Sequence, residues 1–205
     1  MQLSAVTELH RQGRFSRFGL SNYLPEEVEE IVRLAREKGF VQPSVYQGNY
    51  SAIARKPEER LLPVLRKYNI AFYIYSPIAG GFLAKTRASI EGGGVGRWDP
   101  NDRMGQMYHG MYNKPAMLEA LDKWNAISQA SGIPKVEMAY RWVAHNSVLQ
   151  AERGDAVVFG ASSAEQARQT VRGIKRGPLP REVADRIDGL WELVKDDAPF
   201  DNVNG

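Results

Sequence analysis

The chain has 205 residues, 43% hydrophobic and 25% charged, with a formal net charge of +3; these values suit one globular domain with a sizeable core. The small, dispersed basic excess argues against a nucleic-acid partner and fits an anionic cofactor equally well. Zero cysteines exclude disulfides and thiolate metal sites and fit a cytoplasmic protein, and no apolar run approaches the roughly 20 residues that span a bilayer.

In chain order, Met1 leads into the polar-apolar segment QLSAVTELHRQGRF, which is a short helix rather than a signal peptide. Phe18-Gly19-Leu20 reads as a strand. Pro25 then stands where a helix's first turn tolerates proline, and Glu26 and Glu27 suit the positive helix start. Val28, Ile31, Val32 and Ala35 mark one buried face, and Gly39 closes the helix. A second strand near Ser44 to Gln47 leads to a helix over about 58–68. The third strand, Ile70 to Tyr75, is nearly all apolar, as a parallel strand covered on both faces should be. The stretch 86–113 holds Gly92, Gly93, Gly94, Gly96, Gly105 and Gly110 with little periodicity; it is expected to be a long loop, either a lid over a ligand or a flexible connection. Met117, Ala120, Leu121, Trp124 and Ile127 mark one further helix face, and Val136, Ala139, Tyr140 and Val143 another, starting at Pro134. Ala156 to Phe159 is a fourth strand, followed by a helix over 164–173. A last helix over 181–195 precedes a polar tail, 196–205, expected to fray.

Four βα units with about six helices give an α/β fold of half-barrel type. A complete eight-stranded barrel takes roughly 250 residues and eight such units. Ligands of such sheets sit at the carboxyl ends of the strands, which places Ser21, Asn22, Gln47, Tyr75, Ser76 and the segment from Gly160 to Ser163 on one rim.

Four ordered segments, GLSNY (19–23), PSVYQGNY (43–50), FYIYSPIAGGFLAK (72–85) and VVFGASSAEQARQT (157–170), resemble the second half of aldo-keto reductases, most closely the aflatoxin-aldehyde reductase branch. The resemblance implies a single truncated domain over 1–205: a partial (β/α)8 TIM barrel with four parallel strands and extra helices. It also implies an NADP(H) cofactor. Ser21, Asn22 and Gln47 would hydrogen-bond the nicotinamide carboxamide, since Asn and Gln offer both donors and acceptors. Tyr75, directly before Ser76, would stack on the nicotinamide. The Ile78 to Leu83 segment, with Gly80 and Gly81, would let backbone approach the pyrophosphate. Ser162, Ser163 and Gln166 start a helix, whose free N–H groups suit the 2′-phosphate. Many family members carry a lysine and an arginine where this chain has Gly160 and Gln166, and Thr170 replaces an asparagine near the adenine. Arg97 reads either as an arginine reaching over the cofactor or as a solvated surface charge.

The family's catalytic acid tyrosine, its lysine and aspartate partners and its substrate-orienting histidine have no counterpart here. His10, His109 and His145 do not end strands, and no lysine neighbours Tyr46 or Tyr73 in sequence. Two open sheet edges and a bare face predict self-association as a homodimer, or a complementing chain. Three readings stand: an NADP-binding oxidoreductase whose carbonyl-reducing activity is lost, weak or completed by another chain; a non-catalytic interaction module; or a fragment of a longer product.

Overall fold

A computed structural model describes residues 2–93 and 96–203; Met1, Gly94, Val95, Asn204 and Gly205 lie outside the described residues. Strands β1 (Gly19–Ser21), β2 (Val45–Asn49), β3 (Ala71–Tyr75) and β4 (Ala156–Val157) form one parallel sheet in chain order. Helix α1 (Gln2–Arg11) precedes β1, α2 (Pro25–Lys38) joins β1 to β2, and α3 (Pro57–Arg60) and α4 (Leu62–Lys67) join β2 to β3. Between β3 and β4 lie α5 (Arg87–Glu91), α6 (Arg103–Tyr112), α7 (Pro115–Ser131) and α8 (Lys135–Arg141), and after β4 come α9 (Ala164–Ile174), α10 (Arg181–Asp188) and α11 (Trp191–Val194).

The chemistry of α2 explains its ends. Pro25 opens it, the Glu27 carboxylate accepts from the Leu24 N–H at 2.6 Å, and Gly39 closes it at φ 63°. The helix expected over 58–68 is two pieces, because Pro63 has no N–H to donate into a continuous ladder. The last helix likewise breaks at Gly189, and β4 is shorter than expected.

Alternate strand residues face opposite sides. Leu20, Tyr46, Phe72 and Ile74 are buried on one side, where Gly48 leaves room for the rings of Tyr46 and Phe72. On the other side Gly19 and Ser21 are exposed, and Gln47, Tyr73, Tyr75 and Ala156 are half-buried. No strand pairs with the outer edge of β1 or of β4 among the described residues. Beside β1, a groove of about 590 Å³ is lined by apolar groups that include Leu3, Val6, Phe18 and Phe40.

Asp155 locks the last strand in place. Its carboxylate is fully buried and takes both Arg66 guanidinium nitrogens, the Phe72 N–H at 2.8 Å and the Gln150 N–H at 2.9 Å. One side chain thereby ties α4, β3 and the turn before β4 together.

Two expectations are corrected. The 86–113 stretch is not an extended loop: it holds α5, α6 and a 3-10 turn at Gly96–Trp98, with Ile90, Trp98, Tyr108 and Tyr112 buried. Gly105 is needed for close packing there, since a Cβ on it would stand 1.9 Å from the Asp99 carbonyl oxygen. The tail does not run free after residue 196 either. Ala198, Phe200 and Asp201 are buried, Arg60 lies over the Phe200 ring at 5.4 Å, and the Lys114 ammonium donates to the Asp197 carbonyl at 2.9 Å.

Candidate functional site

Three of the four non-glycine residues with left-handed φ among the described residues follow the carboxyl ends of strands. Asn22, Ser76 and Ala79 have φ of 60°, 58° and 51°, a left-handed region that costs a non-glycine residue on the order of 1 kcal/mol. Asparagine tolerates this region; serine and alanine do so less well. At the same rim the Tyr75 hydroxyl donates to Asn22 Oδ1 at 2.9 Å, so the ends of β1 and β3 are joined across β2. Burial pushes the Tyr75 phenol up to about 12, against the opposing pull of the Asn202 N–H. The carboxyl-terminal segment therefore also reaches this rim.

A cleft of about 640 Å³ opens beside Tyr75. Eight of the thirteen expected cofactor residues line it: Tyr75, Ser76, Ile78, Gly80, Gly81, Arg97, Ser162 and Gln166. A second cleft of about 460 Å³ takes in Thr170, Arg172 and Arg176. Tyr140 and Gln166 line both, so the two adjoin. Asn22 is tied to the first cleft through Tyr75. Gln47 shares the half-open sheet face with Tyr75 and pairs in register with Ser21. Ser21 itself borders the apolar groove at the β1 edge instead of the cleft, and Ser163 borders neither.

The two glycines after β3 differ. Gly80 is filled: a Cβ on it would meet the Tyr108 ring at 2.2 Å, so its missing side chain admits that ring and not a ligand. Gly81, at φ 97°, has its Cβ direction open, with only the Trp98 indole nitrogen 3.7 Å away. Trp98 stacks on Tyr108 at 5.4 Å and on Phe82 at 5.7 Å, and Phe82 stacks on Tyr112 at 5.4 Å. The Trp98 indole N–H donates to the Gly80 carbonyl at 3.0 Å. The far wall of the cleft is thus fastened to the turn after β3.

At the start of α9 the Ser163 hydroxyl accepts from the Gln166 N–H at 3.1 Å, and the Gln166 side-chain oxygen accepts from the Ser162 N–H at 2.6 Å and its hydroxyl at 3.0 Å. This reciprocal cap holds the loop's shape. It leaves the remaining first-turn amides, which no helical carbonyl can reach, aimed away from the helix.

Sequence reasoning missed Tyr108 and Tyr140, whose rings line the cleft. The spacing of Tyr108 and Tyr112 was the available signal, since it places both on one helical face. It also missed Arg17, whose guanidinium donates to the Tyr73 hydroxyl at 2.8 Å. Tyr46 is buried, donates to the Tyr23 carbonyl at 2.6 Å, and is held well above the ordinary phenol range by burial. His109 is spent on the Trp98 carbonyl and the Asn113 amide, and His145 on the Ile174 carbonyl. No metal-holding group of three His, Asp or Glu side chains occurs among the described residues, and none of their helices is long and apolar enough to cross a membrane.

A parallel α/β sheet with its cleft at the strands' carboxyl ends has the ground plan of a (β/α)8 barrel, of which four units are present here. The model of the aldo/keto reductase family matches residues 1–192, and the chain belongs to that family. Similar proteins include the oxidoreductase sirO of Leptosphaeria maculans, 38% identical over 96% of this chain and 60% of that protein. An aldo-keto reductase of Pseudocercospora fijiensis is 39% identical over 97% of this chain and 68% of its own length. Aflatoxin B1 aldehyde reductase member 2 of Mus musculus is 37% identical over 96% of this chain and 55% of its own length. The chain therefore spans a little over half to about two thirds of these relatives, and the expected branch is among them.

Proposed function

We propose that this chain binds NADP(H) across the carboxyl ends of its strands, as the cofactor-holding part of an aldo-keto reductase. The observation that carries this reading is the convergence of Tyr75, Gly81, Arg97 and the start of α9 on one cleft. The residues fit the group. Gly81 leaves an open approach for a pyrophosphate, the first amides of α9 suit a phosphate, and the half-buried Tyr75 ring and Gln47 amide suit a flat carboxamide ring. Asn22, fixed by Tyr75, and Ser21 stand beside Gln47 for the same carboxamide. Thr170, in the adjoining cleft, lies on the adenine side.

Bound there, the nicotinamide supplies the hydride for reducing a carbonyl. The side chains present hold and orient it. The Tyr75 hydroxyl is not placed to give the proton, because it is already donated to Asn22 and is raised by burial. Turnover of aldehydes, dicarbonyls or ketones is therefore absent, slow, or dependent on another chain. NADPH oxidation with an aldehyde should fall at least tenfold below the ~10 s⁻¹ typical of enzymes; a rate near that value would reveal an acid.

The test of the reading is titration of the purified chain with NADPH, followed by cofactor fluorescence. Saturation at micromolar levels is expected, with Gln47→Ala and Tyr75→Ala each weakening binding about fivefold through a lost hydrogen bond or stacking surface. No saturation up to millimolar NADPH would favour the non-catalytic interaction module.

Two open edges and a half-exposed sheet face support self-association as a homodimer, or cover by a complementing chain. Light scattering at tens of micromolar should report twice the 23.0 kDa chain mass; a monodisperse monomer would overturn the dimer.

A further inference from the structure

The aromatic wall opposite the sheet has a chemical role of its own. Tyr108 is 6% exposed, and its ring is pinned between Gly80 and Trp98, the latter stacked at an interplanar angle of 15°. Its hydroxyl has no hydrogen-bond partner among the described residues, while the ring lines the cleft. A phenol held this firmly with a spare O–H is a preorganised donor. It stands in the same wall as Arg97, beside the open Cβ direction of Gly81.

We propose that Tyr108 is a binding residue of the cleft, donating its hydroxyl hydrogen to an oxygen of the cofactor's pyrophosphate while Arg97 supplies the neighbouring positive charge. This rests on the NADP(H) reading above and adds a contact to it. Three features argue for the phosphate over the rest of the dinucleotide. The ring is keyed to the glycine turn where backbone approach is open. The cleft that Tyr108 lines holds one cation, Arg97, and no acidic side chain. Carboxamide chemistry already has Asn22, bonded to the Tyr75 hydroxyl, and Gln47. The bond is a charge-assisted O–H···O⁻ contact, stronger than a neutral one. The wall is also prebuilt, since Phe82, Trp98 and Tyr112 are buried and stacked, so forming the contact orders little additional chain.

The test compares Tyr108→Phe, which keeps the ring on Gly80 and Trp98 and removes only the hydroxyl, with the parent chain. Titrations use NADPH, NADH and ADP-ribose, the last carrying the pyrophosphate without nicotinamide. The expected result is a loss of about tenfold in affinity, equal for all three ligands, with the melting temperature of the unloaded chain unchanged. If the parent binds NADPH and Tyr108→Phe binds it as tightly, this inference falls and the cofactor reading stands. A loss for the dinucleotides but not for ADP-ribose moves the contact to the nicotinamide side and overturns the inference. A lower melting temperature with unchanged affinity makes Tyr108 a packing residue only. Failure of the parent chain to bind any of the three removes both readings.

Discussion

Asp155→Ala should cost about 3–5 kcal/mol of folding stability, the range for removing one partner of a buried, hydrogen-bonded ion pair. The carboxylate is the hub for the Arg66 guanidinium and the N–H groups of Phe72 and Gln150. Its removal strands a largely buried arginine and two amides at once. The loss is larger than a surface ion pair would give, because the Arg66 side chain is only 18% exposed and Asp155 is wholly covered. Chemical denaturation measures it. A change under 1 kcal/mol would mean that water takes over all four hydrogen bonds.

The same group sets an acid limit. Burial pushes the Asp155 carboxyl up, but the Arg66 hydrogen bonds and the Phe72 and Gln150 N–H groups outweigh it, so it sits below the usual carboxylate range. A folded-state pKa below the unfolded value of about 3.9 gives stability that is complete above that value and is lost as pH falls through the folded one. Parent and Asp155→Ala stabilities should therefore converge below about pH 4 and be furthest apart at neutral pH.

How far the sequence reveals this molecule depends on whether a feature is local. Helix α2 is legible because Pro25, the two glutamates, the Val28 to Ala35 face and Gly39 all sit within one element and agree. The strand-end residues are legible because parallel strands present their carboxyl ends together. The 86–113 segment is not, because its glycines look like flexibility when read locally. In space Gly105 admits the backbone of Asp99, and Tyr108 lays its ring on Gly80 in the turn after β3, close approaches that glycine content alone does not reveal. The tail misleads in the same way: its polar composition reads as fraying, while Phe200 finds a slot beneath Arg60. The locking role of Asp155 is likewise invisible in sequence, since Arg66 and Phe72 lie more than eighty residues before it.

Gln166→Glu should separate cofactor binding from folding, moving the two in opposite directions. In the parent chain the Gln166 side-chain oxygen accepts from the Ser162 N–H and hydroxyl. A carboxylate accepts from the same donors more strongly and stands in the first turn of α9, where the helix dipole favours negative charge by about 0.3–1 kcal/mol. Folding stability should rise slightly or hold. A phosphate drawn to that helix start would then meet a like charge within a few ångströms, worth about 2 kcal/mol after screening at an exposed site. NADPH affinity should fall about 30-fold, more steeply at low salt, and NADH affinity by less because it lacks the 2′-phosphate. Equal losses for the two cofactors would place the repulsion on the pyrophosphate. No loss for either, with the fold intact, would show that the start of α9 holds no phosphate and that the cofactor lies elsewhere along the rim.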